Sequence, residues 1–128
     1  MKKTKDKNYC EVTIFSSADE GNKTVASGEL EENDNGFCVD YLLNGDACKI
    51  TYDGKRFTQT RAGATQLSIS FIERERTACV IECAGNTGYM PVFTRKLQVQ
   101  SAPDGKLIKI AYILGDMNIE LEISVLKI

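Results

Sequence analysis

The chain predicts an all-β fold, a single antiparallel up-and-down β-barrel of about eight to ten strands. Three observations carry that expectation. Apolar and polar residues alternate with a period of two in run after run, as in Val12-Thr13-Ile14 and Ile119-Glu120-Leu121-Glu122-Ile123. Tight-turn pairs separate the runs, notably Asn44-Gly45, Asp53-Gly54 and Gly115-Asp116. Helical periodicity is absent throughout. Strands of this kind with one wet face leave long edges open unless the sheet closes on itself, which favours a barrel.

At 128 residues the chain suits one domain, able to bury roughly two-thirds of its unfolded surface. Residues 1–8, with Lys2, Lys3, Lys5 and Lys7, read as a flexible basic terminus, and 9–128 as the barrel. A hydrophobic fraction of 42% with 27% charged residues is ordinary for a folded chain and argues against disorder. Sixteen basic against eighteen acidic residues leave a net charge of -2, so no electrostatic footprint points to nucleic acid or to an anionic membrane surface. No apolar run approaches a membrane-spanning helix, and alternation from Cys10 stands where a secretory signal would need a continuous apolar stretch. The five cysteines, an odd count without a compact framework, agree with a reducing compartment. The expectation is a cytoplasmic protein.

Along the chain, Tyr9 to Phe15 places Val12 and Ile14 on one face. Ser16 to Lys23 reads as a polar loop, and Thr24 to Glu32 as a weaker, acidic strand before the break at Asn33-Asp34-Asn35-Gly36. A type I′ turn at Asn44-Gly45 pairs Tyr41 with Cys48, Val39 with Ile50 and Phe37 with Tyr52. A second two-residue turn at Asp53-Gly54 sets Ile50 against Phe57 and Cys48 against Gln59. At Arg61-Ala62-Gly63 two registers compete. A two-residue loop turns Leu67, Ile69 and Phe71 away from Phe57, whereas a three-residue loop with a left-handed Gly63 sets Phe57 beside Leu67 and Gln59 beside Thr65. The second is preferred because it keeps the apolar face continuous.

Glu73-Arg74-Glu75-Arg76 is a charged loop leading into Thr77 to Cys83, with Cys79, Ile81 and Cys83 inward. Ala84 to Gly88 reads as the next turn. Beyond Pro91, Phe93, Arg95, Leu97 and Val99 alternate with Thr94, Lys96, Gln98 and Gln100, which faces Arg95 inward. The Gly115-Asp116 hairpin pairs Leu114 with Met117, Tyr112 with Ile119, Ile110 with Leu121 and Ile108 with Ile123.

Three features together resemble the YwiB-like family, a bacterial domain of unknown function: Arg61-Ala62-Gly63 followed by an alternating strand ending in Phe71, a glycine turn before a strand carrying Thr94, and the closing hairpin with Tyr112. The resemblance covers roughly Gly54 to Ile128 and implies a calycin-like (lipocalin-like) barrel with no settled activity. Family members carry a Tyr-x-Thr-Pro-Tyr-Gly-like turn. This chain has Cys83-Ala84-Gly85-Asn86-Thr87-Gly88 and keeps only the last glycine.

The chemistry open to the chain is narrow. With no histidine, a Cys-His pair is excluded, and no residue set supports a named enzymatic reaction. Cys79 and Cys83 share a strand face but lie ~13 Å apart in an extended chain, and no CxxC pair exists, so neither a disulfide nor a metal site is expected. No cofactor is implied. Glu29, Glu31, Glu120 and Glu122 alternate on solvent faces. One constellation remains: Tyr41, Cys48, Gln59 and Thr65 in one inward row, with Arg61 at the rim and Arg95 and Tyr112 as further candidates. A barrel can hold one small, partly apolar ligand among such groups. The alternative is a barrel plugged by its own polar side chains, acting as a scaffold that meets a protein partner or a second copy through an outer strand such as Thr24 to Glu32.

Overall fold

Period-two alternation builds ten strands in the computed structural model, which describes residues 6–20 and 22–128. They are β1 (Asp6–Ser16), β2 (Lys23–Glu32), β3 (Phe37–Leu43), β4 (Asp46–Tyr52), β5 (Arg56–Ala62), β6 (Thr65–Ile72), β7 (Arg76–Cys83), β8 (Asn86–Ala102), β9 (Gly105–Leu114) and β10 (Met117–Lys127). Each strand pairs with its neighbours in sequence, and β1 pairs antiparallel with β10, so the sheet closes. Closure removes the long edges that a ten-stranded open meander would expose. β1 starts at Asp6 rather than Tyr9, and Lys7 within it meets Glu29 at 3.7 Å. Of the basic terminus expected over residues 1–8, residues 1–5 lie outside the described residues. A short 3-10 turn, Ser17–Asp19, replaces the expected loop after β1, with Ser16 Oγ accepting from the Ala18 amide.

The inward faces meet in one core. Val12, Leu30, Val39, Ile50, Phe57, Phe71, Ile108, Ile123 and Val125 are fully buried. An arc of rings runs Phe37, Tyr52, Phe57, Phe71, Tyr112, with successive centroids 5.8, 6.4, 6.3 and 4.7 Å apart, all tilted rather than stacked.

The hairpins at Asn44-Gly45 and Gly115-Asp116 have the predicted pairs. Asn44 and Gly45 both take positive φ, as type I′ requires, and Gly115 does so at the first turn position of type II′. Two other turns are wider than expected. Asp53 Oδ1 accepts from the Lys55 and Arg56 amides, which makes a longer loop, and Ile50 then faces Gln59 and Cys48 faces Arg61 instead of Phe57 and Gln59. At Arg61-Ala62-Gly63 the three-residue loop does not form. Gly63 is not left-handed, and Phe57 pairs with Phe71, Gln59 with Ile69 and Arg61 with Leu67. Both shifts are by even numbers of residues, so every side chain keeps its predicted face while its row changes.

The third correction does change a face. The turn after β7 is only Ala84-Gly85, both at positive φ, and Gly88 belongs to β8 opposite Ile81. β8 thus starts with its even-numbered residues inward, and Val92 and Thr94 are buried. A bulge between Thr94 and Lys96 restores the odd residues Leu97 and Val99 to the inner face. Arg95 occupies the bulge and is exposed, its Nη1 donating to Asn118 Oδ1 at 3.0 Å, so it is not an inward residue. The charged loop fixes this bulge from outside: the Arg74 amide donates to the Thr94 carbonyl at 2.7 Å, and Glu73 Oε2 accepts from the Leu97 amide at 3.3 Å.

Candidate functional site

The turns at 44–45, 63–64, 84–85 and 115–116 gather at one end of the barrel, here the hairpin end; loops 33–36, 53–55, 73–75 and 103–104 lie at the other. Near the hairpin end the registers align Tyr41, Cys48, Arg61, Leu67, Ile81 and Gly88 in one inward row across β3 to β8. Val39, Ile50, Gln59, Ile69, Cys79 and Met90 form the row beneath it. The expected row of Tyr41, Cys48, Gln59 and Thr65 is therefore redistributed. Tyr41 and Cys48 stay together, Arg61 replaces Gln59 beside them, and Gln59 drops one row deeper. Thr65 moves out to the rim opposite Cys83, where it is exposed and its Oγ1 donates to the Cys83 sulfur at 3.6 Å.

Arg61 is held by a residue that sequence reasoning missed. Its Nε donates to Asp46 Oδ2 at 2.7 Å, with side chains 40% and 27% exposed, and this bond raises the guanidinium pKa further. A Cβ on Gly63 would overlap the Asp46 carboxylate, so the glycine is the seat on which the carboxylate lies. The two outer residues of the Arg-Ala-Gly turn thus serve one ion pair, which explains why the turn is wider than a left-handed glycine loop.

Burial pushes the Tyr41 phenol up to about 12; the neighbouring Cys48 adds to the shift, and a hydrogen bond with the Gln59 side chain opposes it. Burial likewise raises the Cys48 thiol, which points at the Asp46 carbonyl at 3.8 Å. Both groups are neutral at pH 7. The row offers hydrogen-bond donors and acceptors around a compensated ion pair, not an activated nucleophile.

Tyr112 is inward and buried against Phe71, and burial raises its phenol too, with Cys79 adding to the shift. It sits on β9 between Thr94 and Ile119, apart from the row on β3 to β5. Thr94, expected to face out, is fully buried with its Oγ1 lacking a hydrogen-bond partner, a cost the bulge imposes. The break in apolar parity between Val92 and Leu97 is the signal in the sequence that marks this bulge.

The two ends of the barrel differ. At the loop end Lys106, inward by alternation with Ile108, is 7% exposed and donates to Glu32 Oε2 at 2.7 Å. Its Nζ also reaches Ser101 Oγ at 3.1 Å and lies 5.4 Å from the centre of the Phe37 ring. Lys127 donates to Glu32 Oε1 at 2.9 Å and to the Pro103 carbonyl at 3.0 Å. These charges close that end. At the hairpin end inward-facing apolar residues stay open: Leu43, Leu67, Ile81 and Leu114 are half-buried, Met90 is 37% exposed and Met117 51%. Among the described residues, grooves lie over Ser101 and Gly105, over Lys96 and Glu120, over Pro91 and Ile113, and over Asn33 and Arg56, and no residue of the row lines any of the four. None of the five cysteines is in a disulfide, and among the described residues no cluster of three His, Cys, Asp or Glu side chains is placed to hold a metal ion. Among the same residues no helix is long and apolar enough to cross a membrane.

Residues 12–128 match the model of a family described as Domain of unknown function (DUF1934), a longer stretch than the resemblance from Gly54 onward. The crystal structure of the ywiB protein from Bacillus subtilis is similar at a TM-score of 0.75, with 15% sequence identity over 96% of this chain and 92% of that one. At that identity the likeness concerns the fold alone. No curated protein matches. Family model and barrel agree, and the chain belongs to the DUF1934 family, as a YwiB-like domain of unknown function.

Proposed function

We propose that this barrel is a binding module that takes a small, partly apolar ligand at its hairpin end. The supporting observation is the asymmetry of the ends: an ion cluster seals one, while the other leaves Leu67, Ile81, Met90 and Met117 on the inner face open to solvent, in and around the rows that hold Tyr41, Gln59 and Arg61. Apolar walls with a few aimed polar groups are the usual composition of a small-molecule site. A reducing, cytoplasmic setting suits a chain with five unbridged thiols.

Cys83 provides the test, because it is exposed and inward at the rim, whereas Cys38 lies on the outer face of β3. With a small-molecule extract of the source cells present, alkylation of Cys83 by iodoacetamide should slow at least fivefold while Cys38 keeps its rate. Equal rates with and without extract would count against the site.

A second reading is a filled-barrel interaction module. It draws on the outer wall, where Val25 is 58% and Leu42 66% exposed, and where β2 pairs with β3 only from Gly28 onward. It requires another chain on that surface, so Val25→Asp must abolish whatever association light scattering records.

A further inference from the structure

We infer that the hairpin-end site selects a ligand with a flat ring and a hydrogen-bond-accepting, anionic end, the ring lying on Gly88 and the end meeting Arg61. This rests on the reading of that end as a ligand site and adds the ligand's class. The observation behind it is Gly88. Every other described glycine has a visible cause, either a positive φ (Gly45, Gly54, Gly85, Gly115) or a neighbour that a Cβ would strike (Gly28, Gly36, Gly63, Gly105). Gly88 has neither: its backbone is that of an ordinary strand, and a Cβ there would find nothing nearer than the Ile81 carbonyl oxygen at 4.0 Å. Glycine inside a strand weakens it, and one use of such a residue is to admit a ligand to the backbone.

Gly88 is exposed near the tip of the β7–β8 hairpin, and by register that space lies on the inward side of the wall. Gly88 pairs with Ile81, on the same face as the buried Cys79 and Val92, and precedes the inward Met90 by two residues. A bare stretch of backbone between an isoleucine and a methionine is a flat apolar seat. Methionine sulfur also makes favourable contacts with aromatic rings. Along the same row Leu67 continues the apolar wall and Arg61 ends it. Arg61 stands three strands from Gly88, about 14 Å along the wall at the usual strand spacing, within reach of a molecule of two or three rings. A guanidinium only donates, so the group it meets must accept. The Asp46 bond at 2.7 Å holds it in place, leaving 40% of the side chain exposed. Carboxylate, sulfonate and phosphate ends each present paired acceptor oxygens that suit its N–H groups.

The test uses two fluorescent probes of similar shape, anilinonaphthalene sulfonate and the uncharged phenyl-naphthylamine. The wild-type chain should bind the sulfonate at least tenfold more tightly. Gly88→Val should weaken both probes at least tenfold, and Gly88→Ala less, with melting temperatures unchanged or raised, because the added groups enter open space and a strand glycine costs stability. Arg61→Gln should weaken the sulfonate alone, and Arg61→Lys should restore part of the loss. If both probes bind wild type equally and Arg61→Gln changes neither, the anionic end is wrong although the site stands. If binding survives Gly88→Val, the ring seat is wrong and the inference falls. If neither probe binds and Cys83 alkylates at one rate throughout, the binding-module reading fails with it.

Discussion

Phe71→Ala should lower the unfolding free energy by about 4 kcal/mol, the middle of the range for deleting a buried aromatic side chain. Phe71 is completely buried, and its ring joins the two halves of the aromatic arc, 6.3 Å from Phe57 on β5 and 4.7 Å from Tyr112 on β9. Those strands lie on different sides of the barrel, so neither ring can slide into the gap without leaving its own backbone position. The cavity therefore persists, and the loss falls well above the transfer term alone. Against a total stability of roughly 5–15 kcal/mol for a domain of this kind, the variant stands near the threshold of folding. Urea denaturation should show the midpoint falling with an unchanged slope, and the melting temperature should drop by on the order of 15 °C. A loss below about 1 kcal/mol would mean that the interior is looser than the ring contacts imply.

Glu32→Gln should cost about 2–3 kcal/mol, because it removes the one carboxylate shared by Lys106 and Lys127 and leaves a nearly buried ammonium without a counter-charge. The figure stays below the usual 3–5 kcal/mol for a broken buried pair because Glu32 is 28% exposed. The same bond makes stability depend on pH. Hydrogen bonds from Lys106, then Lys127, hold the Glu32 carboxyl below its ordinary range. A carboxyl depressed in the folded state stabilises fully above its unfolded pKa of about 4.3 and loses that contribution as pH falls through the lower folded value. Wild type should therefore lose stability below about pH 4.3 more steeply than Glu32→Gln, the two curves converging in acid. Parallel curves in thermal melts between neutral pH and acid would contradict the role of the cluster. Replacing Glu32 and Lys106 together by Leu and Met should recover most of the loss, since the buried charge leaves with its partner.

Outside the start of β8, where Arg95 and Thr94 exchange sides, the faces of the barrel were legible in the sequence and the rows were not, for separable reasons. Strand parity depends only on alternation, and turn lengths misjudged by even numbers leave it intact. Gln59 and Leu67 accordingly point inward as expected, although neither has its expected neighbour. The rows depend on side chains that fix loop length. Asp53 acts locally through the Lys55 and Arg56 amides, but Asp46 acts on Gly63 from another hairpin, which no local pattern reveals. At Arg95 the bulge is fixed by a loop some twenty residues away in the chain, so alternation read literally turned Arg95 in and Thr94 out. The loop-end cluster is the opposite case. Glu32 follows Leu30, Lys106 precedes Ile108 and Lys127 follows Val125, each by two residues, so parity alone places all three charges inward. Charged side chains usually face solvent, yet in a small barrel those that pair with one another can form the lid.

On the proposed reading, a small molecule occupies the open hairpin end of the barrel. Native mass spectrometry of the chain purified gently from its source cells tests this most directly. An adduct of small-molecule mass is expected on the wild-type barrel, absent from Gly88→Val prepared in the same way. Bare protein in both preparations, with Cys83 equally reactive in each, would contradict it.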